Sequence, residues 1–131
     1  MRIIVLILAF AGPLIARAEN DSFGSRIQRA DIVEASQEGA EYQKSLWSKI
    51  GNNAASAMQN CFPKSKKTDA TSFVLVGDVT KICHLENIEV RPNTPMTRCF
   101  AAKLSNNQFP EPPEAFIENG MPLVIKVRVT N

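Results

Sequence analysis

Near the end of the chain Leu123, Ile125, Val127 and Val129 alternate with Val124, Lys126, Arg128 and Thr130. A two-residue period sustained this long predicts a β-strand with one dry face and one mostly wet face. A lone strand cannot bury a face, so the chain must bring other strands beside this one and cover its dry side. Two segments are suited to that task. Ser72 to Thr80 is β-branched and apolar, and Leu85 to Arg91 has the same character, leaving Lys81-Ile82-Cys83-His84 as the connection. That length predicts a β-hairpin, and the poor turn residues Ile82 and Cys83 leave room for a bulge.

The cover comes from helical periodicity. From about Glu34, the residues Tyr42, Leu46, Ile50, Ala54, Ala57, Met58 and Cys61 recur at three- and four-residue steps and predict one buried helical face. Gly39 and Gly51 weaken this helix, and Gly51-Asn52-Asn53 is where a kink or split is expected. Phe62-Pro63 ends it. Trp47 lies beside the apolar face and reads as a packing residue. A second helix is expected with Thr94 as N-cap and Pro95 at its first position. Met96, Cys99, Phe100, Lys103 and Leu104 share one side of it, and Asn106-Asn107 closes it. Phe109-Pro110-Glu111-Pro112-Pro113 can only be extended. The expected fold class is therefore α+β: a small three-stranded antiparallel sheet, hairpin plus C-terminal strand, packed on one face by two helices. It forms a single domain over residues 34–131.

The N-terminal quarter carries a different kind of signal. Arg2 precedes thirteen uncharged, mostly large apolar residues, Ile3 to Ile15, and then Ala16-Arg17-Ala18. This is the outline of a secretory signal peptide over residues 1–18, with cleavage expected before Glu19 and no stable membrane insertion after processing. The expected location is the periplasm. Residues 19–33 show little apolar periodicity and read as a flexible lead-in. Of the 15 basic residues, Arg2 and Arg17 fall in the signal segment, so the remainder balances the 13 acidic ones. A neutral chain has no long-range attraction for nucleic acid, and Lys64 to Asp69 reads as a solvated loop despite its three lysines.

Export into an oxidising compartment favours disulfides, yet Cys61, Cys83 and Cys99 can form only one intramolecular bond. Chemistry beyond that is sparse. His84 is the only histidine, so no Ser-His-Asp relay can form, and Cys83 and His84 are neighbours whose side chains would diverge on a strand. Adjacent Cys83-His84 also lacks the spacing of a zinc site. Glu111 and Glu114 lie in a Pro-rich stretch with nothing to separate their pKa values. No phosphate loop or Cys-x-x-Cys is present. The expectation is a non-enzymatic protein with no catalytic residue, no metal and no cofactor.

The run Phe73-x-Leu75-Val76-Gly77-Asp78-Val79-Thr80, a short turn, Leu85-x-Asn87-Ile88-x-Val90, a helix carrying Cys99-Phe100, then Phe109-Pro110-x-Pro112 and a closing alternating strand resembles the TonB C-terminal domain. It is similar above all to the AgmX/PglI C-terminal family. The resemblance covers roughly residues 50–131. It implies a disulfide between Cys61, at the end of the preceding helix, and Cys99, in the helix after the hairpin, which leaves Cys83 as a free thiol. It also implies a TonB C-terminal-like domain that binds another protein, an envelope component, by accepting a strand at its sheet edge. An immunity or inhibitor protein that neutralises a secreted toxin or cell-wall hydrolase is the alternative, and a thiol-redox protein using Cys83 the distant one. The partner-binding surface is expected on the outward residues Val124, Lys126, Arg128 and Thr130. A homodimer is allowed through Cys83 or the sheet edge.

Overall fold

The alternation at the chain's end is realised as strand β3, Met121–Val127, in a computed structural model that describes residues 22–63 and 72–128. Residues 1–18, read from the sequence as a signal peptide, residues 64–69, read as a solvated loop, and Val129 and Thr130 lie outside the described residues. The hairpin strands are β1, Phe73–Val79, and β2, Leu85–Arg91. Both neighbours of β1 run antiparallel to it, giving the order β2-β1-β3. The α+β class, with a hairpin and a C-terminal strand in one sheet, is as expected.

The connection between β1 and β2 is a tight one. Cys83 N–H donates to the Thr80 carbonyl at 2.9 Å, Thr80 N–H donates to the His84 carbonyl at 2.9 Å, and Cys83 takes a positive φ of 64°. A left-handed residue closing a three-residue loop is the position glycine usually fills. Asn87, at φ 53°, makes a bulge in β2: Asn87 and Ile88 together face Gly77 between the pairs Val76↔Glu89 and Asp78↔Glu86.

Among the described residues three α-helices pack on this sheet, where the sequence predicts two: α1 Phe23–Ala35, α2 Gln37–Cys61 and α3 Pro95–Ser105. Helix α2 runs unbroken through Gly51. The break falls earlier, at Ser36, whose side chain accepts from Gly39 N–H at 3.1 Å to start α2 while its own N–H donates to the Val33 carbonyl to finish α1. At α3 the Thr94 cap is as expected, and it is reciprocal. Thr97 N–H donates to Thr94 Oγ1 at 3.2 Å and Thr94 N–H to Thr97 Oγ1 at 2.8 Å.

One sheet face carries the main core. Leu75, Val79, Val90, Leu123 and Ile125 meet Leu46 and Ile50 of α2 and Phe100 and Leu104 of α3. Each such side chain contributes about 1.5–3 kcal/mol when removed from water. The Cys61–Cys99 disulfide joins the two helices with Cα atoms 5.7 Å apart. Beside it, Phe73 stacks on Phe62 and meets Phe100 edge-on, with ring centroids 5.4 and 5.3 Å apart.

The opposite face corrects two expectations. Residues 19–33 are not a flexible lead-in where they are described: Phe23 to Ala35 is helical, with Ser22 Oγ accepting from Ser25 N–H. Nor are the helices confined to one face. Phe23, Ile27 and Ala30 of α1 lie on Val74, Val76 and Val124. This apolar stripe is three residues long, too short to register as periodicity, and a helix of this length depends on the surface it packs against.

Candidate protein-binding groove

Among the described residues β3 has a neighbouring strand on one side only, so alternate main-chain N–H and C=O groups along it face away from β1. Beside that edge lies a groove of about 490 Å³. Its floor and far wall are α2 residues Gln43, Trp47, Gly51, Ala54, Ala55 and Met58, with Phe100 beneath, and its near wall is Val124 to Arg128. Glu34, from the last turn of α1, stands at the rim.

The local sequence makes this concavity. Trp47 is 41% exposed, and its Nε1–H donates to Gln43 Oε1 at 3.0 Å one turn earlier, which holds the indole along the helix. One turn later Gly51 has no side chain, and a Cβ built there would meet nothing within 4 Å. Ala54 and Ala55 follow. A large aromatic succeeded at helical spacing by small residues leaves a trough with an indole at one end. The expectation that Trp47 is a packing residue is thereby corrected. The spacing Trp47, Gly51, Ala54, Ala55 is the sequence signal that points to the groove.

The residues expected to contact a partner are divided by the structure. Val124 is 7% exposed, committed to α1 on the outer face. Lys126 Nζ pairs with both Asp31 carboxylate oxygens, at 3.0 and 3.1 Å. Arg128 is exposed at the groove's edge. Thr130 lies outside the described residues. The wet face of β3 is therefore not open, as the sequence implies; α1 occupies it. Its hold is polar as well as apolar. Arg26 donates to the Asn87 carbonyl at 2.7 Å and lies 3.6 Å from Asp78 and 3.7 Å from Glu89, while Arg91 sits over the Phe23 ring at 5.7 Å.

Cys83 is the free cysteine, half-buried at the hairpin. Its carbonyl accepts from Phe109 N–H at 2.9 Å, which ties the Pro-rich segment to the hairpin. Tyr42 lies near enough that burial first, and the charge of Cys83 second, push its phenol well above the usual tyrosine range. Among the described residues no helix is long and apolar enough to cross a membrane, and no three His, Cys, Asp or Glu side chains gather as a metal site would require.

Apolar and aromatic walls and a charged rim beside a strand edge that is open among the described residues are the features by which sheets in general accept an extended polypeptide. No family model, curated protein or solved structure matches the chain.

Proposed function

We propose that this chain is a non-enzymatic, exported protein-binding domain of the TonB C-terminal-like kind, acting by protein–protein contact in the periplasm. The observation that supports the reading is the apolar groove lying directly beside the unpaired edge of β3, with the exposed Trp47 indole as its anchor. Buried aromatic anchors dominate binding energy at interfaces, and a strand edge supplies main-chain hydrogen bonds that need no particular sequence. The partner is then an extended segment of another envelope or secreted protein.

The experiment is capture from periplasmic extract with the wild-type chain, Trp47→Ala, Gly51→Leu and, as a control on the polar side of α2, Ser48→Ala. A specific partner is held by the wild type and the control. It is weakened more than tenfold by each groove variant, a loss above about 1.4 kcal/mol, with the circular dichroism spectrum unchanged. Equal capture by all four chains removes the groove as the binding site. A hydrolase or toxin as the captured protein makes the domain an inhibitor; a receptor or secretion component makes it an envelope module.

A further inference from the structure

Helix α1 is joined to the rest of the fold by a single non-helical residue. Ser36, at φ −72° and ψ 160°, is at once the C-cap of α1 and the N-cap of α2. The corner it makes is crowded, since a Cβ on Gly39 would land on the Val33 carbonyl. At the corner Val33 packs against the main core, and over the rest of its length α1 is held on the outer face of the sheet: Arg26 on the Asn87 carbonyl, Asp31 on Lys126, and Ala30 against Val76 and Val124. None of these contacts requires that α1 and the sheet belong to the same molecule. By contrast α2 is anchored by the Cys61–Cys99 bond and by Tyr42, Leu46 and Ile50 in the main core.

We propose that α1 is an exchangeable arm: straightening at Ser36 merges α1 and α2 into one continuous helix and seats each α1 on the outer sheet face of a second copy of this chain, forming a reciprocal domain-swapped dimer. The occupant of that face is then a copy of the same helix, so its complementarity is already given by the closed form. The ion pairs and apolar contacts that α1 makes with the sheet re-form across the dimer, and the differences are confined to the corner around Val33, Ser36 and Gly39. Straightening exchanges the two Ser36 caps for intrahelical hydrogen bonds and moves the Val33 carbonyl away from Gly39. A short connection that bends two helices back on each other is the kind of hinge at which exchange is favoured. The proposal is independent of the groove's partner.

The test uses the native Asp31–Lys126 pair as a reporter, because a carbodiimide joins a carboxylate and an amine only when they touch. Wild type, Gly39→Ala and Ser36→Ala are each prepared as heavy-isotope and light copies. The two are mixed, co-refolded with the disulfide intact, cross-linked and mapped by mass spectrometry, with sedimentation run in parallel. Gly39→Ala should sediment as a dimer in which Asp31–Lys126 cross-links join heavy to light chains. Ser36→Ala should raise the mixed-isotope fraction at least tenfold over wild type at the same concentration. If Gly39→Ala does not fold, Ser36→Ala decides by the same readout. Same-isotope cross-links alone, whether the variants sediment as monomers or as dimers, overturn the proposal.

Discussion

Tyr42 of α2 donates its hydroxyl to the Pro110 carbonyl at 2.9 Å, and this bond pins the Pro-rich segment across the end of the core. Phe109, beside it, is fully buried and bonded through its amide to Cys83, so helix, hairpin and segment meet at one junction. The junction has a pH dependence with a definite sign. The folded protein holds the Tyr42 phenol protonated above its unfolded value of 10.0, through burial and then Cys83. The stability it contributes is complete below that pH and is lost as pH rises past it. Urea denaturation at neutral and alkaline pH should show a decline in the wild type that is shallower in Tyr42→Phe. At neutral pH that variant should cost about 1 kcal/mol for the lost hydrogen bond. Parallel declines in the two proteins would assign the pH dependence elsewhere.

The Cys61–Cys99 bond closes a loop with 38 residues of separation, for which chain entropy gives a stabilisation of about 4 kcal/mol. Peptide mapping without reductant should recover the Cys61–Cys99 pair. The double variant Cys61→Ala/Cys99→Ala should lose up to that amount in guanidinium unfolding, and a loss below about 1 kcal/mol would mean that the reduced chain retains the constraint by other means.

Cys83 is left as a thiol at a left-handed backbone position. Cys83→Ser should abolish any covalent dimer on a non-reducing gel. Cys83→Gly should do the same and unfold at higher denaturant, gaining about 1 kcal/mol as the strained φ is relieved. A persistent covalent dimer in either variant would mean that the Cys61–Cys99 bond opens and reshuffles.

Arg26 and Lys126 both tie α1 to the sheet, but they should differ in weight. The Arg26 side chain is 14% exposed and donates to a main-chain carbonyl between two carboxylates, whereas Lys126 and Asp31 are 57% and 44% exposed. Arg26→Ala should therefore cost about 1.5 kcal/mol or more, and Lys126→Ala less than about 1 kcal/mol, with the latter loss vanishing at high salt. Denaturation of both variants at low and high ionic strength checks the ranking. Equal losses would place the attachment of α1 in its apolar stripe instead.

At Gly51 the groove leaves room that a methyl group does not exhaust. Gly51→Ala should raise stability by about 1 kcal/mol through helix propensity alone. Thermal unfolding checks it, and destabilisation would mean that α2 needs flexibility at this point.

What could be read along the chain was whatever repeats locally. The buried face of α2, the Thr94 cap with Pro95, the two hairpin strands and the dry face Leu123, Ile125, Val127 all follow from periods of 3.6 or 2 and from capping chemistry, which need no knowledge of distant residues. The break in the long helix was less legible. Gly51 weakens a helix in isolation but sits in open space, while Gly39 marks the corner because the Val33 carbonyl presses on it there. The groove was half legible, in Trp47 followed by small residues, yet it gains its second wall only when α2 lies beside the edge of β3. Tertiary structure alone decided the outer face. Lys126 and Arg128 carry the charge of a solvated surface, and nothing near them in sequence says that Asp31, 95 residues away, will meet Lys126 or that Ala30 will cover Val124. Helix α1 has too short an apolar stripe to hold its shape unaided, so its existence depends on the sheet it covers.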